Sequence, residues 1–244
     1  MEPDVDRTLP RAILPVCRKP FRHVVADGWL PQDWYLACRD SFPLCPPSTG
    51  PSGRSLFVGD EQLTELCNTS EAWANLLSSF RSQAFVDACQ AQFRESFASP
   101  ACTMAKEPWR YVEHIETREE KGSRFTPRSP LEPLDVYVRF DVHQAPIGYK
   151  HGHHIDHRRR LVTFILYFSD CDDIGMTGGD LQLHGRPRPI LPARQVTVQS
   201  RENRIVWFPC SPDSLHSVSE IVTARAPRQY VQVHVSRTVD AWAT

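Results

Sequence analysis

Apolar side chains along this chain recur in two distinct periods. Over residues 60–97 they fall at helical spacing: Ser70 precedes Ala72, Trp73, Leu76, Leu77 and Phe80, and Phe85, Val86, Ala88, Cys89, Phe93 and Phe97 continue the stripe. Ser70 has the chemistry of an N-cap, and the aromatic residues behind it read as core packing beneath a sheet. Upstream, Phe21 to Val25 predicts a short strand closed by the turn signal Asp27-Gly28. Pro31 then stands where a first helical turn tolerates it, ahead of Trp34, Leu36, Ala37 and Phe42. A Pro/Ser/Gly loop is expected over 46–55.

From Trp109 the period becomes two. WRYVEHIET predicts a strand with one buried face, and further strands are expected at 134–142, 161–168, 179–184, 194–199, 203–208 and 228–236. Residues 118–133 interrupt them with charge, Gly and Pro, and a loop of that length in a domain is often a lid or binding loop. Many short strands after a helical block predict an α+β chain with a mainly β core, built as an antiparallel sandwich or barrel with helices outside. One domain is expected over 1–244, with an arm at 1–19, a strand-plus-helix support at 20–105 and the β core at 106–237.

Composition narrows the functional classes. At 244 residues, 41% hydrophobic and 23% charged, the chain has material for one sizeable core. A net charge of −1 gives no electrostatic reason to expect a nucleic-acid or membrane partner. The longest apolar run, 161–168, is less than half of the roughly 18 residues a membrane span requires. The opening MEPDVDRTLP lacks the layout of a signal peptide. Eight cysteines without a CxxC pair read as reduced, mostly buried thiols. A cytoplasmic protein is the expectation.

The chemistry concentrates between Tyr149 and Ser169, YKHGHHIDHRRRLVTFILYFS. His154 and Asp156, two residues apart, can turn to one side of an extended segment and reach one cation. A third ligand has to come from downstream, and His216 in RIVWFPCSPDSLHSV is the candidate. Two His and one carboxylate make the facial triad of non-haem Fe(II) oxygenases, which leaves positions open for co-substrate and O2. His114-Ile115-Glu116 has the same spacing without a distal partner and reads as a decoy. His151, His153 and His157 read as rim histidines. Arg158, Arg159 and Arg160 read as a solvated face, with an anion-binding role as the other option.

Taken in order, HHIDHRRRLVTFILYFS, Gly178-Gly179-Asp180-Leu181, VWFPCSPDSLHSV and the strand from Arg228 resemble the 2-oxoglutarate/Fe(II)-dependent dioxygenases, in particular the prolyl-4-hydroxylase-like branch. FRHVVADGWLP resembles that branch's N-terminal strand and helix, so the resemblance spans about residues 20–40 and 134–237. It implies a double-stranded β-helix, or jelly roll, with helices on one outer face. It also implies Fe(II) ligated by His154, Asp156 and His216, with 2-oxoglutarate and O2 consumed and succinate and CO2 released. The family places a basic residue for the far carboxylate of 2-oxoglutarate on the strand after the distal His. Arg225 and Arg228 are both available, and Arg228 is preferred because RQYVQVHV behind it matches the family's register. An Arg fork pairs a carboxylate through two bonds. Tyr167 matches a tyrosine that shares that carboxylate. Arg160 matches a position the family often fills with Arg, while Gln232 and His234 fall on the last strand without an assigned role. A carboxylate at Asp156 occupies the position that related halogenases leave open, which favours hydroxylation, or a desaturation or cyclisation begun the same way.

The expected substrate is a small molecule, an amino acid or a carrier-tethered building block. A prolyl- or aspartyl-type peptidyl substrate is the alternative, and a catalytically silent jelly-roll module that binds metal or ligand is a third reading. Nucleic-acid demethylation is disfavoured because no basic stripe is present.

Overall fold

The computed structural model describes residues 9, 13–46, 53–104, 106–116, 132–185 and 195–243. Much of the expected arm at 1–19, most of the loop at 46–55 and nearly all of the expected lid at 118–133 lie outside the described residues. In chain order the elements are β1 (Val24–Ala26), α1 (Gln32–Asp40), β2 (Arg54–Phe57), α2 (Glu61–Thr69), α3 (Glu71–Phe80), α4 (Gln83–Gln92), α5 (Arg94–Phe97) and β3 (Arg110–Tyr111). The strands β4 (Asp135–Ala145), β5 (His151–His154), β6 (Arg160–Tyr167), β7 (Leu181–His184), β8 (Gln195–Val198), β9 (Ile205–Pro209), β10 (His216–Val218) and β11 (Arg228–Ser236) follow. They form two sheets. The larger runs β1-β9-β6-β11-β4-β2 with β3 beside β4, and the smaller runs β5-β10-β7-β8. Apart from the parallel β3–β4 contact, the pairings are antiparallel. This is the mainly β jelly roll with helices outside that the motifs imply.

The period of two decides which face of the large sheet does what. On β11, Val231, Val233 and Val235 pack into the outer core with the helices, as do Val136, Val138, Phe140 and Val142 of β4 and Val162, Phe164 and Leu166 of β6. Trp29, Phe80 and Phe85 close against Phe164 there, with ring centroids 4.8, 5.1 and 5.9 Å apart. Each such fully buried side chain contributes about 1.5–3 kcal/mol of transfer free energy. The alternate residues point between the sheets. Ile165, Tyr167, Val206, Phe208 and Tyr230 of the large sheet meet Leu181, Leu183 and Val198 of the small one in a second core.

Three local expectations need correction. The strand expected over 109–117 is only β3, because Trp109 plugs into the helical layer against Phe97, 4.6 Å between rings, and Glu116 is drawn inward by arginines. Its alternation reflects two different burials, not a ladder. Ser70 does occupy the N-cap of α3, but its side chain makes no capping bond; Ser82 caps α4 instead, accepting from the Phe85 amide at 3.2 Å. The loop expected to run through Ser55 gives way to β2 at Arg54, which adds an edge strand to β4. The short strands β5 and β10 carry no alternating pattern long enough to predict.

Candidate metal and co-substrate centre

His154 ends β5 and His216 begins β10, and the register of these neighbouring antiparallel strands sets the two residues opposite each other. Their rings lie 4.1 Å apart between centroids. Asp156, just past the end of β5, brings Oδ1 to 3.8 Å from His154 Nε2 and 3.9 Å from His216 Nε2. One ligand atom from each of the three lies within 4.8 Å of the others. Each histidine also holds its other nitrogen on a backbone carbonyl: His154 Nδ1 at 2.9 Å from Gly152 O and His216 Nδ1 at 2.8 Å from Ser214 O. Donation from Nδ1 selects the tautomer whose Nε2 lone pair faces a metal. Burial, and then His216, pull the His154 pKa down to about 4, so its imidazole is neutral at neutral pH. Two imidazoles and a carboxylate suit Fe(II) with open positions.

Behind the triad, the Thr163 hydroxyl donates to Asp156 Oδ2 at 2.5 Å and lies 3.0 Å from His234 Nδ1 and 3.1 Å from Cys210 Sγ. Burial alone would raise the Asp156 pKa, but His216 and His234 outweigh it and the carboxyl is held well below the usual range. The carboxylate stays ionised with one oxygen tied to Thr163 and the other facing the histidines.

The triad opens into a cavity of about 530 Å³ between the sheets. At one end Arg228, the first residue of β11, is 2% exposed and surrounded by Tyr230, Tyr149 and Tyr167, its guanidinium carbon 4.9, 5.5 and 5.9 Å from their ring centroids. One of its terminal nitrogens donates to the Gly179 carbonyl, while its Nε is buried without a partner. That carbonyl reaches it because Gly178 and Gly179 sit at φ +74° and +73°; a Cβ on Gly178 would lie 1.9 Å from the Glu220 carbonyl. Burial raises the pKa of the Tyr167 phenol, which keeps its hydroxyl proton available for donation. A buried cation short of a partner, with phenols around it, is chemically suited to the far carboxylate of 2-oxoglutarate. Arg225 lies elsewhere, bonded to the Asp173 carbonyl at 2.7 Å and exposed.

At the opposite end Arg139, Asp141 and Arg160 of the cavity wall belong to an ion-pair cluster with Glu116 behind them. Glu116, its side chain 1% exposed, accepts from Arg160 at 2.7 and 3.0 Å and from Arg139 at 2.9 Å. Arg139 also donates Nε to Asp141 at 2.7 Å, and Arg160 reaches Ser236 Oγ at 2.7 Å. Burial pushes the Glu116 pKa up, but the Arg160 and Arg139 charges prevail and bring it down to about 2. The decoy is therefore a structural anchor. The reading of 158–160 as a solvated face fails for two of the three: Arg158 is exposed, but Arg159 and Arg160 are 5% and 6% exposed.

His151 and His153 are exposed as expected, though neither is idle. The His151 ring lies 3.0 Å, Nδ1 to Nδ1, from His154, and the His153 ring lies 4.3 Å from His184. His157 lines the same cavity. Gln232 and His234 do face the cavity from β11. Residues without an assignment from sequence reasoning are Tyr149, Tyr230, Thr163 and Glu116. The step of two from Arg228 through Tyr230 to Gln232 and His234 was the available signal for Tyr230. Glu116 and Thr163 meet their partners only across the fold.

Residues 140–235 match the family model of the 2OG-Fe(II) oxygenase superfamily. A comparison with curated proteins returns no match. Among solved structures, a prolyl 4-hydroxylase from Phytophthora capsici superposes with a TM-score of 0.51 at 17% identity, over 88% of this chain and 58% of that one. This chain thus spans less than two thirds of that relative. A Trichoplax adhaerens prolyl hydroxylase, solved with a hypoxia inducible factor peptide fragment, gives 0.51 at 14% identity over 88% and 83% of the two chains. A Pseudomonas putida prolyl-4-hydroxylase gives 0.51 at 14% identity over 88% and 92%. At these identities the likeness is one of fold. Among the described residues, no helix is long and apolar enough to cross a membrane.

Proposed function

We propose that this chain, whose residues 140–235 match the 2OG-Fe(II) oxygenase superfamily model, is a 2-oxoglutarate/Fe(II)-dependent oxygenase that hydroxylates an unactivated C–H bond of a small molecule, an amino acid or a carrier-tethered building block. Bound Fe(II) with 2-oxoglutarate and O2 supplies the oxidising chemistry: one oxygen atom enters the C–H bond, the other enters succinate, and CO2 leaves. His154 Nε2, His216 Nε2 and an Asp156 oxygen would hold the metal. Arg228 and the Tyr167 hydroxyl would hold the distal carboxylate of 2-oxoglutarate. The chain's own contribution is positional: Thr163 fixes Asp156, the backbone carbonyls of Gly152 and Ser214 orient the two rings, and the sheets keep water from the reacting C–H.

One observation carries this reading. The triad and a buried, carboxylate-free Arg228 open onto one cavity of about 530 Å³, inside the ~300–1,000 Å³ range of small-molecule sites. The alternative of a prolyl- or aspartyl-type peptidyl substrate has in its favour the likeness to a prolyl hydroxylase solved with a peptide. A cytoplasmic setting belongs to the same proposal, supported by eight cysteines of which none stands in a disulfide.

The test is anaerobic. Addition of Fe(II) and 2-oxoglutarate to the protein should produce a weak visible charge-transfer band, and admission of O2 should release succinate slowly without added substrate. His154→Ala should abolish both. Metal-replete protein showing neither band nor succinate would sink the enzyme reading and favour a silent binding module.

A further inference from the structure

One stretch of cavity wall remains without a task in the proposed reaction. Cross-strand register sets Phe57 of β2, Asp141 of β4, Gln232 of β11 and Ile165 of β6 in a single row, and all four line the cavity. The Asp141 side chain is 4% exposed. Its Oδ2 accepts from Arg139 Nε at 2.7 Å, whereas its Oδ1 is buried with no hydrogen-bond partner. Arg139 does not belong to Asp141 alone, since it also donates to Glu116 at 2.9 Å. Glu116 has Arg160 besides, at 2.7 and 3.0 Å. His143 Nε2 lies 4.0 Å from Asp141 Oδ2, so the neighbours of Asp141 gather on that oxygen and leave Oδ1 without a donor. Gln232 brings a half-buried amide to the adjacent position of the row.

A buried carboxylate oxygen without a donor is costly, and a cationic N–H donor compensates it best because charge-assisted hydrogen bonds are the strong ones. Among the described residues that line the cavity, the acidic side chains are Asp141 and Asp156. Asp156 belongs to the metal triad, which leaves Asp141 as the anion available to a substrate.

We propose that Asp141, with Gln232 beside it, recognises a protonated amino group of the substrate. This rests on the oxygenase reading above and deepens it. The substrate is an amine-bearing small molecule, such as a free amino acid or a diamine, whose ammonium lies on the β4–β11 row while its target C–H faces the metal. The phenyl ring of Phe57 and the side chain of Ile165 flank the carbon chain next to that ammonium. An internal prolyl or aspartyl residue of a peptide has no such group and leaves Asp141 uncompensated.

The test measures succinate release by the Fe(II)-loaded protein with 2-oxoglutarate and O2, across the common L-amino acids, linear diamines and the N-acetyl form of each. Each rate is divided by the unstimulated rate of the same protein. At least one free amine should stimulate tenfold or more, and its N-acetyl form should not. Asp141→Asn keeps the shape and an acceptor for Arg139 but lacks the charge, and should cut that stimulation at least tenfold. Gln232→Ala removes no charge and should cut it about threefold, which keeps the idea testable if the first variant folds poorly by thermal melting. Equal stimulation by N-acetyl forms, or stimulation untouched in both variants, overturns the proposal. Unstimulated succinate with no stimulation by any amine overturns it too and leaves the oxygenase reading standing. Absence of succinate under every condition removes the oxygenase reading and this proposal together.

Discussion

Both ends of the cavity bury arginine, but in opposite electrostatic states. Arg139 and Arg160 sit beside Glu116 at 2.7–3.0 Å, and Arg139 also beside Asp141, so their charge is answered from within the chain. Arg228 is equally buried, yet it faces three tyrosine rings and one carbonyl and keeps an unpartnered Nε. Removing a charged group from water costs several kcal/mol, which a well-placed partner recovers. The first end has recovered it during folding. The second has not, and the proposed co-substrate's far carboxylate would supply the missing partner. Burial alone does not separate a structural arginine from a ligand-binding one; the count of answering carboxylates does.

That contrast predicts a double dissociation. Glu116→Gln should have the largest effect, lowering unfolding free energy by about 3–5 kcal/mol because it takes the carboxylate from buried Arg160 and leaves Arg139 with Asp141 alone, as read from denaturant melts. A loss under 1 kcal/mol would mean that the cluster is not an anchor. Arg228→Met should do the reverse. It should weaken 2-oxoglutarate binding by about 2–5 kcal/mol, roughly 30-fold or more, in anaerobic titrations of the charge-transfer band, with thermal stability kept or raised. Thr163→Val, between the two ends, should lower Fe(II) affinity about 10–100-fold by freeing the second Asp156 oxygen, measured by competition with a chelator. Arg225→Ala should change 2-oxoglutarate affinity less than twofold, and a larger loss there than at Arg228 would place the co-substrate cation in the wrong residue.

Acid should separate the ends as well. Glu116 titrates near 4.5 when unfolded and near 2 when folded. A depressed folded pKa contributes stability that is complete above the unfolded value and lost as pH falls through the folded one. The stability gap between the native protein and Glu116→Gln should therefore hold above pH 5 and narrow progressively as pH falls from 4.5 towards 2, in melts across that interval.

Much of the architecture could be read from residue order alone. The β11 alternation, the helical block and the four ordered motifs each depend on neighbours within one element, where periodicity carries information. What escaped depends on distant partners. His114-Ile115-Glu116 has ligand-like spacing, but only the fold shows that Arg139 and Arg160 reach Glu116. Arg158, Arg159 and Arg160 look alike as a run, and their fates diverge because the strand β6 begins at Arg160. β5 and β10, four and three residues long, are too short for any period to declare itself. His154, Asp156 and His216 are marked in the sequence by their motifs and not by a strand pattern.

The pairing of His154 with His216 has a consequence for how the protein holds itself together. Both histidines belong to the small sheet, while Asp156 is tethered through Thr163 to the large one. An ion held by all three would fasten one sheet to the other. Its occupancy enters the folding equilibrium by mass action: free metal at a hundred times its dissociation constant adds about 2.7 kcal/mol. Chelation should therefore speed amide exchange in β5 and β10 while the β4–β11–β6 ladder stays protected, so that the rigidity of the small sheet would follow metal supply.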